Sequence, residues 1–170
     1  GGAAGTGAGA PVWDGRQRMI DSASDLVRFH EGRRLYVYDD ATGRGVGPGS
    51  TLEGHPTIGI GRALDVRGIS DDEAEALFAA DLADTSTALA RERAWVLELD
   101  PVRRAVLVDM AFNMGVRGLL GFRRALAALE IGDCETCAVE MLDSRWADQV
   151  GRRATRLAAT MRSGDWPREG

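Results

Sequence analysis

The pattern of the chain changes near residue 70, and that change limits the folds open to it. Beyond it, apolar side chains recur at helical spacing; before it, short strand-like runs are separated by glycine and proline. Ser70-Asp71-Asp72-Glu73 reads as a capping box, and Ala74, Leu77, Phe78 and Leu82 follow on one face. A long helix is therefore expected over about 70–94. Asp100-Pro101 reads as an N-cap with proline at the first helical position. The helix it opens, through Val106, Leu107, Met110, Ala111 and Met114, is apolar enough to be buried. Residues 122–129, 134–142 and 152–161 read as further short helices, with Gly115, Gly118 and Gly121 as punctuation.

Before residue 70 the elements are different. Residues 15–31 have helical spacing, and Gly32 suits the cap. LYVYDD at 35–40 reads as a strand ending in a turn. Residues 41–56 hold five glycines and two prolines, a long irregular loop. TIGIG at 57–61 reads as a second strand, with Thr57, Gly59 and Gly61 on one face and Ile58 and Ile60 packing inward on the other. On that reading the glycine face leaves backbone bare for a flat ligand such as a sugar ring. The start, GGAAGTGAGA, reads as a flexible linker or cloning residue over 1–12. The fold class expected is α+β, mainly α. A small sheet-bearing N-terminal lobe (about 32–69) is joined by the long helix to a helical lobe (about 95–166), with helix 15–31 packing on the latter. A cleft between two such lobes is a natural ligand site.

With 170 residues, the chain suits one domain or two small lobes sharing a core, here one domain over 13–170. The net charge is −5, and every basic residue is Arg. Residues 63–100 are strongly acidic, while residues 101–170 carry 11 Arg against 9 acids. A chain without a dominant basic stripe argues against nucleic acid as the main partner. No apolar run is long enough to span a membrane, and no signal peptide is read. Cys134 and Cys137 form one C-x-x-C, with His30 and His55 elsewhere, too few ligands for a structural zinc. They read as two packed thiols, and no metal or cofactor is expected.

Three places in this stretch offer side chains that are candidates for chemistry. Glu31 ends a helix, where a carboxylate faces the negative end of the dipole, a placement that favours the protonated form a general acid needs. Asp39 and Asp40 close the first strand and point to opposite faces, so one of them is free to face a cleft while the other faces solvent. Thr57 places a hydroxyl at the end of the glycine face.

The segments EGRRLYVYDD, TIGIG, ISDDEAEALF, VRRAVLVDMAFNMG, SRWADQVGRRA and MRSGDW occur in that order between residues 31 and 166. Together they resemble the phage-type lysozymes, glycoside hydrolase family 24. The resemblance implies a muramidase of the endolysin type that cleaves the β-1,4 bond between N-acetylmuramic acid and N-acetylglucosamine in peptidoglycan, with inversion. It places the catalytic Glu on Glu31, the catalytic Asp on Asp40 and the catalytic Thr on Thr57. It also matches Arg153 to an arginine that pairs with the catalytic Glu, and Asn113 to an amide lining the cleft. Gly59 is expected to support the sugar.

The resemblance also implies a partner, the glycan strands of peptidoglycan. The protein is expected to act as a monomer or as one domain of a larger phage protein. It would be made in the host cytoplasm and reach the wall through a holin or a phage tail. Two departures stand out: sixteen residues separate Asp40 from Thr57, a longer loop than in the family's best-known member, and Arg62 stands where the family often has His. A lysozyme-like module that binds glycan but cleaves it weakly is the alternative. Lytic transglycosylation on the same scaffold would need no water-holding Asp and Thr. Trp95, Trp146 and Trp166 are expected in the core.

Overall fold

The computed structural model describes residues 22–167. The expected linker at 1–12, and the expected first helix before residue 22, lie outside them. The described chain divides into two compact units after Ser70. It is mainly helical with one small antiparallel sheet, the α+β class expected.

The N-terminal unit opens with α1 (Ala23–Glu31), whose Ser22 cap accepts a hydrogen bond from the Asp25 N–H at 3.1 Å. Gly32 ends the helix at φ +68°, a conformation that glycine adopts without steric cost. β1 (Arg34–Asp39), β2 (Pro56–Gly59) and β3 (Arg62–Ala63) follow in sheet order. Tyr38 pairs with Thr57 and Asp39 with Pro56, and the register shifts between Arg34 and Tyr38. α2 (Leu64–Arg67) is a single turn directly after β3.

Two readings of this unit are corrected. TIGIG is not one strand. β2 stops at Gly59, and Gly59, Ile60 and Gly61 turn the chain into β3 so that Ile58 faces Arg62. Both glycines have φ +69°, and Ile60 is exposed rather than packed inward. Alternate glycines resembled a bare strand face because the sequence cannot separate period-two alternation from turn chemistry.

The long loop is also more ordered than its composition suggests. Asp39 N–H donates to the Arg44 carbonyl at 2.8 Å, and Val46 N–H to the Val37 carbonyl at 2.9 Å, folding its first part back along β1. Its far end hangs on the buried Asp39 carboxylate, which accepts from the N–H groups of Ala41 (3.0 Å), Glu53 (2.8 Å) and Gly54 (3.0 Å).

The second unit is helical. α3 (Asp71–Glu92) is the expected long helix and has an acidic first turn. A 3-10 turn (Ala94–Glu98) leads to α4 (Pro101–Met114). Asp100 caps α4 as expected, accepting from the Val102 and Arg103 N–H groups, both at 3.0 Å. Then come α5 (Val116–Leu120), α6 (Arg123–Glu130), α7 (Cys134–Leu142), α8 (Arg145–Val150) and α9 (Arg152–Ser163).

α4 carries the most of the buried core, with Val106, Leu107, Met110 and Ala111, and Leu119, Leu129, Met141 and Met161 close around it. Ala138 on α7 and Ala154 and Ala158 on α9 are buried, and such small side chains let helices approach closely. Each fully buried Leu contributes roughly 1.5–3 kcal/mol.

Trp146 is buried, as expected; Trp166 is exposed, which corrects the expectation of a core position. It lies past α9, where no further element follows among the described residues to cover it. Cys134 and Cys137 are free thiols in the first turn of α7, and burial pushes the Cys137 thiol up to about 12.

Candidate functional site

Four of the sequence's candidates, Glu31, Asp40, Thr57 and Gly59, lie in the N-terminal unit. Glu31 is the last residue of α1, and its side chain rests on the hairpin turn. A Cβ on Gly61 would stand 2.6 Å from Glu31 Oε2 and 3.0 Å from its Cδ. Gly61 is favoured by its positive φ, and the Glu31 carboxylate lies where a side chain on residue 61 would begin.

The adjacent aspartates have separate tasks. Asp39 is 3 % exposed and occupied by the three loop N–H groups. The Glu53 N–H, above all, holds its carboxyl below the ordinary value; burial opposes this, and the Ala41 and Gly54 N–H groups add to it. Asp40 is exposed, and its Oδ1 accepts from the His55 N–H at 2.7 Å. Gly54 packs directly against that carboxylate.

Thr57 is 2 % exposed, and its hydroxyl donates to the His55 carbonyl at 3.2 Å. That leaves the oxygen's lone pairs to accept. The same carbonyl also accepts from the Asp40 N–H at 3.1 Å. Asp40 and Thr57, with sixteen residues between them in sequence, are therefore joined through the main chain of one residue. Gly59 has nothing within 4 Å of the place a Cβ would take.

His55 and Asp65 were not marked as site residues by the sequence. His55 Nδ1 and Asp65 Oδ2 are 2.9 Å apart. The hydrogen bond and charge of Asp65, with a further contribution from Asp40, raise the imidazole above its ordinary value, and the same bond lowers Asp65. Arg62 Nε donates to the Gly68 carbonyl at 2.6 Å, tying β3 to the segment after α2.

The other two candidates lie in the helical unit. Asn113 Oδ1, on α4, accepts from Trp146 Nε1 at 2.8 Å, and Phe122 meets the Trp146 ring edge-on at 6.0 Å. Arg153, near the start of α9, donates through Nε to Asp109 Oδ1 on α4 at 2.9 Å. Asp109 as its partner had no sequence signal, since an acid in mid-helix is ordinary. Arg124 pairs with Glu140 at 2.9 Å.

The arrangement offers an acid at a helix end, a second exposed carboxylate and a hydroxyl fixed to that carboxylate's support. The profile of the phage lysozyme family matches residues 28–162, which contain all of these groups. The chain belongs to the phage lysozyme family. Membership assigns it to the lysozyme-type glycoside hydrolases that act on peptidoglycan.

Among relatives, this family member is 27% identical to probable T4-type lysozyme 1 of Dictyostelium discoideum, over 86% of this chain and 96% of that protein. It is 26% identical to probable T4-type lysozyme 2 of the same organism, with the same coverage. It is 30% identical to the pre-baseplate central spike protein Gp5 of Enterobacteria phage T4, over 85% of this chain but 28% of that protein.

Proposed function

We propose that the protein is a muramidase that hydrolyses the β-1,4 bond between N-acetylmuramic acid and N-acetylglucosamine with inversion at the anomeric carbon. Glu31, as the carboxylic acid, gives its proton to the glycosidic oxygen as the bond to the leaving sugar breaks. Water attacks from the opposite face of the ring, and Asp40 takes its proton. Thr57 accepts a hydrogen bond from that water, since its own hydrogen is committed to His55. One carboxylate ends ionised and the other protonated, and solvent resets both.

The observation that carries this reading is the tie between Asp40 and Thr57 through residue 55. Two groups that must share one water are held by one piece of main chain. Supporting roles go to Arg153 and Asn113, as the family resemblance implies, and to the backbone of Gly59; Arg153 itself is held by Asp109 and Asn113 by Trp146.

Among the described residues no helix is long and apolar enough to cross a membrane. The routes to the wall that go with this reading are release through a holin or carriage on a phage tail. The likeness to Gp5, named as a central spike protein, supports the second route.

Mass spectrometry of the products from purified peptidoglycan tests the reaction. Hydrolysis yields reducing N-acetylmuramic acid ends. Anhydro ends would mean lytic transglycosylation, and retention on the sacculus without products would mean a binding module.

A further inference from the structure

His55 does more than connect two functional residues by its main chain. Its side chain reaches forward to Asp65 on α2, and the two are exposed to 53% and 46%. Thr57 pairs across the hairpin with Ala63, two residues before Asp65. A closed circuit results. It runs from residue 55 to Thr57, across the sheet to Ala63, on to Asp65, and back through the imidazole to residue 55. Asp40 hangs on this circuit by two hydrogen bonds, one to each main-chain polar group of His55. The far end of the long loop is hooked to Asp39 at residues 53 and 54, immediately before the circuit begins.

We propose that His55 and Asp65 form a positioning pair, which fixes residue 55 so that Asp40 and Thr57 hold one water in line for attack. The proposal rests on the muramidase reading above and deepens it. An exposed ion pair adds little to stability, so conservation of fold does not require this one. Its effect falls on geometry, where a displacement of about 1 Å is enough to slow a positioned reaction strongly. The pair touches no substrate in this scheme, so the chemical step should suffer and binding should not.

The test is release of reducing ends from purified peptidoglycan by the full chain, measured for the wild type, Asp65→Ala, Asp65→Asn, His55→Ala and the double variant His55→Ala/Asp65→Ala. Asp65→Ala and His55→Ala should each lower kcat on the order of tenfold, with KM and Tm close to wild type. Asp65→Asn keeps an oxygen acceptor for the imidazole and should recover most of that loss. The double variant should be no worse than either single change, since both remove one device. Unchanged kcat, additive losses, or a fall in Tm that accounts for the lost activity would overturn the pair. In each of those cases a wild type that releases reducing ends leaves the muramidase reading standing. A wild type that releases none removes that reading and this inference with it.

Discussion

Asp39 and Asp40 show how much two identical neighbours can differ. A strand turns them to opposite sides. Asp39 goes inward and organises the loop; Asp40 stays exposed beside Thr57. Asp40→Asn should therefore leave Tm nearly unchanged and lower kcat about 100-fold or more. Asp39→Ala should do the reverse in kind, dropping Tm by roughly 5 °C because three N–H groups lose their acceptor. Calorimetry beside activity separates the two.

The Asp39 carboxyl titrates below its ordinary value in the fold. Its contribution to stability is thus present above the unfolded value and lost as pH falls through the folded one. The Asp39→Asn variant should show a flatter loss of stability below about pH 4 than the wild type. Parallel acid limbs in the two proteins would contradict the assignment. That the two aspartates point to opposite sides was legible in the sequence as a rule of alternation. That Asp39 is buried rather than turned to solvent was not, because the N–H groups that hold it come from residues 53 and 54, fourteen and fifteen positions on.

At the level of elements, the β2–β3 hairpin decides most. Gly59 and Gly61 share the same positive φ, so an alanine at either should cost about 1–2 kcal/mol in strain. Their surroundings differ. Alanine at 61 meets the Glu31 carboxylate, while alanine at 59 meets nothing within 4 Å. On the proposed reading, Gly61→Ala should depress kcat by displacing the acid, and Gly59→Ala should raise KM by adding a methyl group where the sugar is proposed to rest. Equal effects of the two on kcat would show that the hairpin matters only for stability.

The N-cap of α4 and the first turn of α7 were readable because their signals are local: a side chain and an N–H two or three residues on. α2, α5 and α8 were not read. Each is four to six residues long, too short to show a helical period, and packing rather than propensity sets it. The hairpin was misread for a different reason. Glycine marks both a bare strand and a turn, and only the backbone conformation separates them.

At the scale of the whole molecule, the division after Ser70 follows the change of pattern in the sequence. Period and composition made the helical unit legible; its core needs only apolar side chains at the right intervals, as at Val106, Leu107 and Met110. Leu107→Ala or Leu119→Ala in that core should cost about 2–5 kcal/mol, read by chemical denaturation. The links between distant residues, such as Arg153 with Asp109, carry no local signature and needed coordinates.

The overall charge of −5 sets a further expectation. Long-range attraction to an anionic wall is weak, so activity should change by less than about threefold from low to physiological salt. Steep inhibition would mean that the arginines of the helical unit dominate the encounter.

The most direct test of the central claim is release of reducing ends from purified peptidoglycan by the wild type beside Glu31→Gln. The account predicts an active wild type and a folded variant at least about 100-fold slower, because the amide cannot supply the proton to the leaving oxygen. A folded variant that cleaves as fast as the wild type would contradict it.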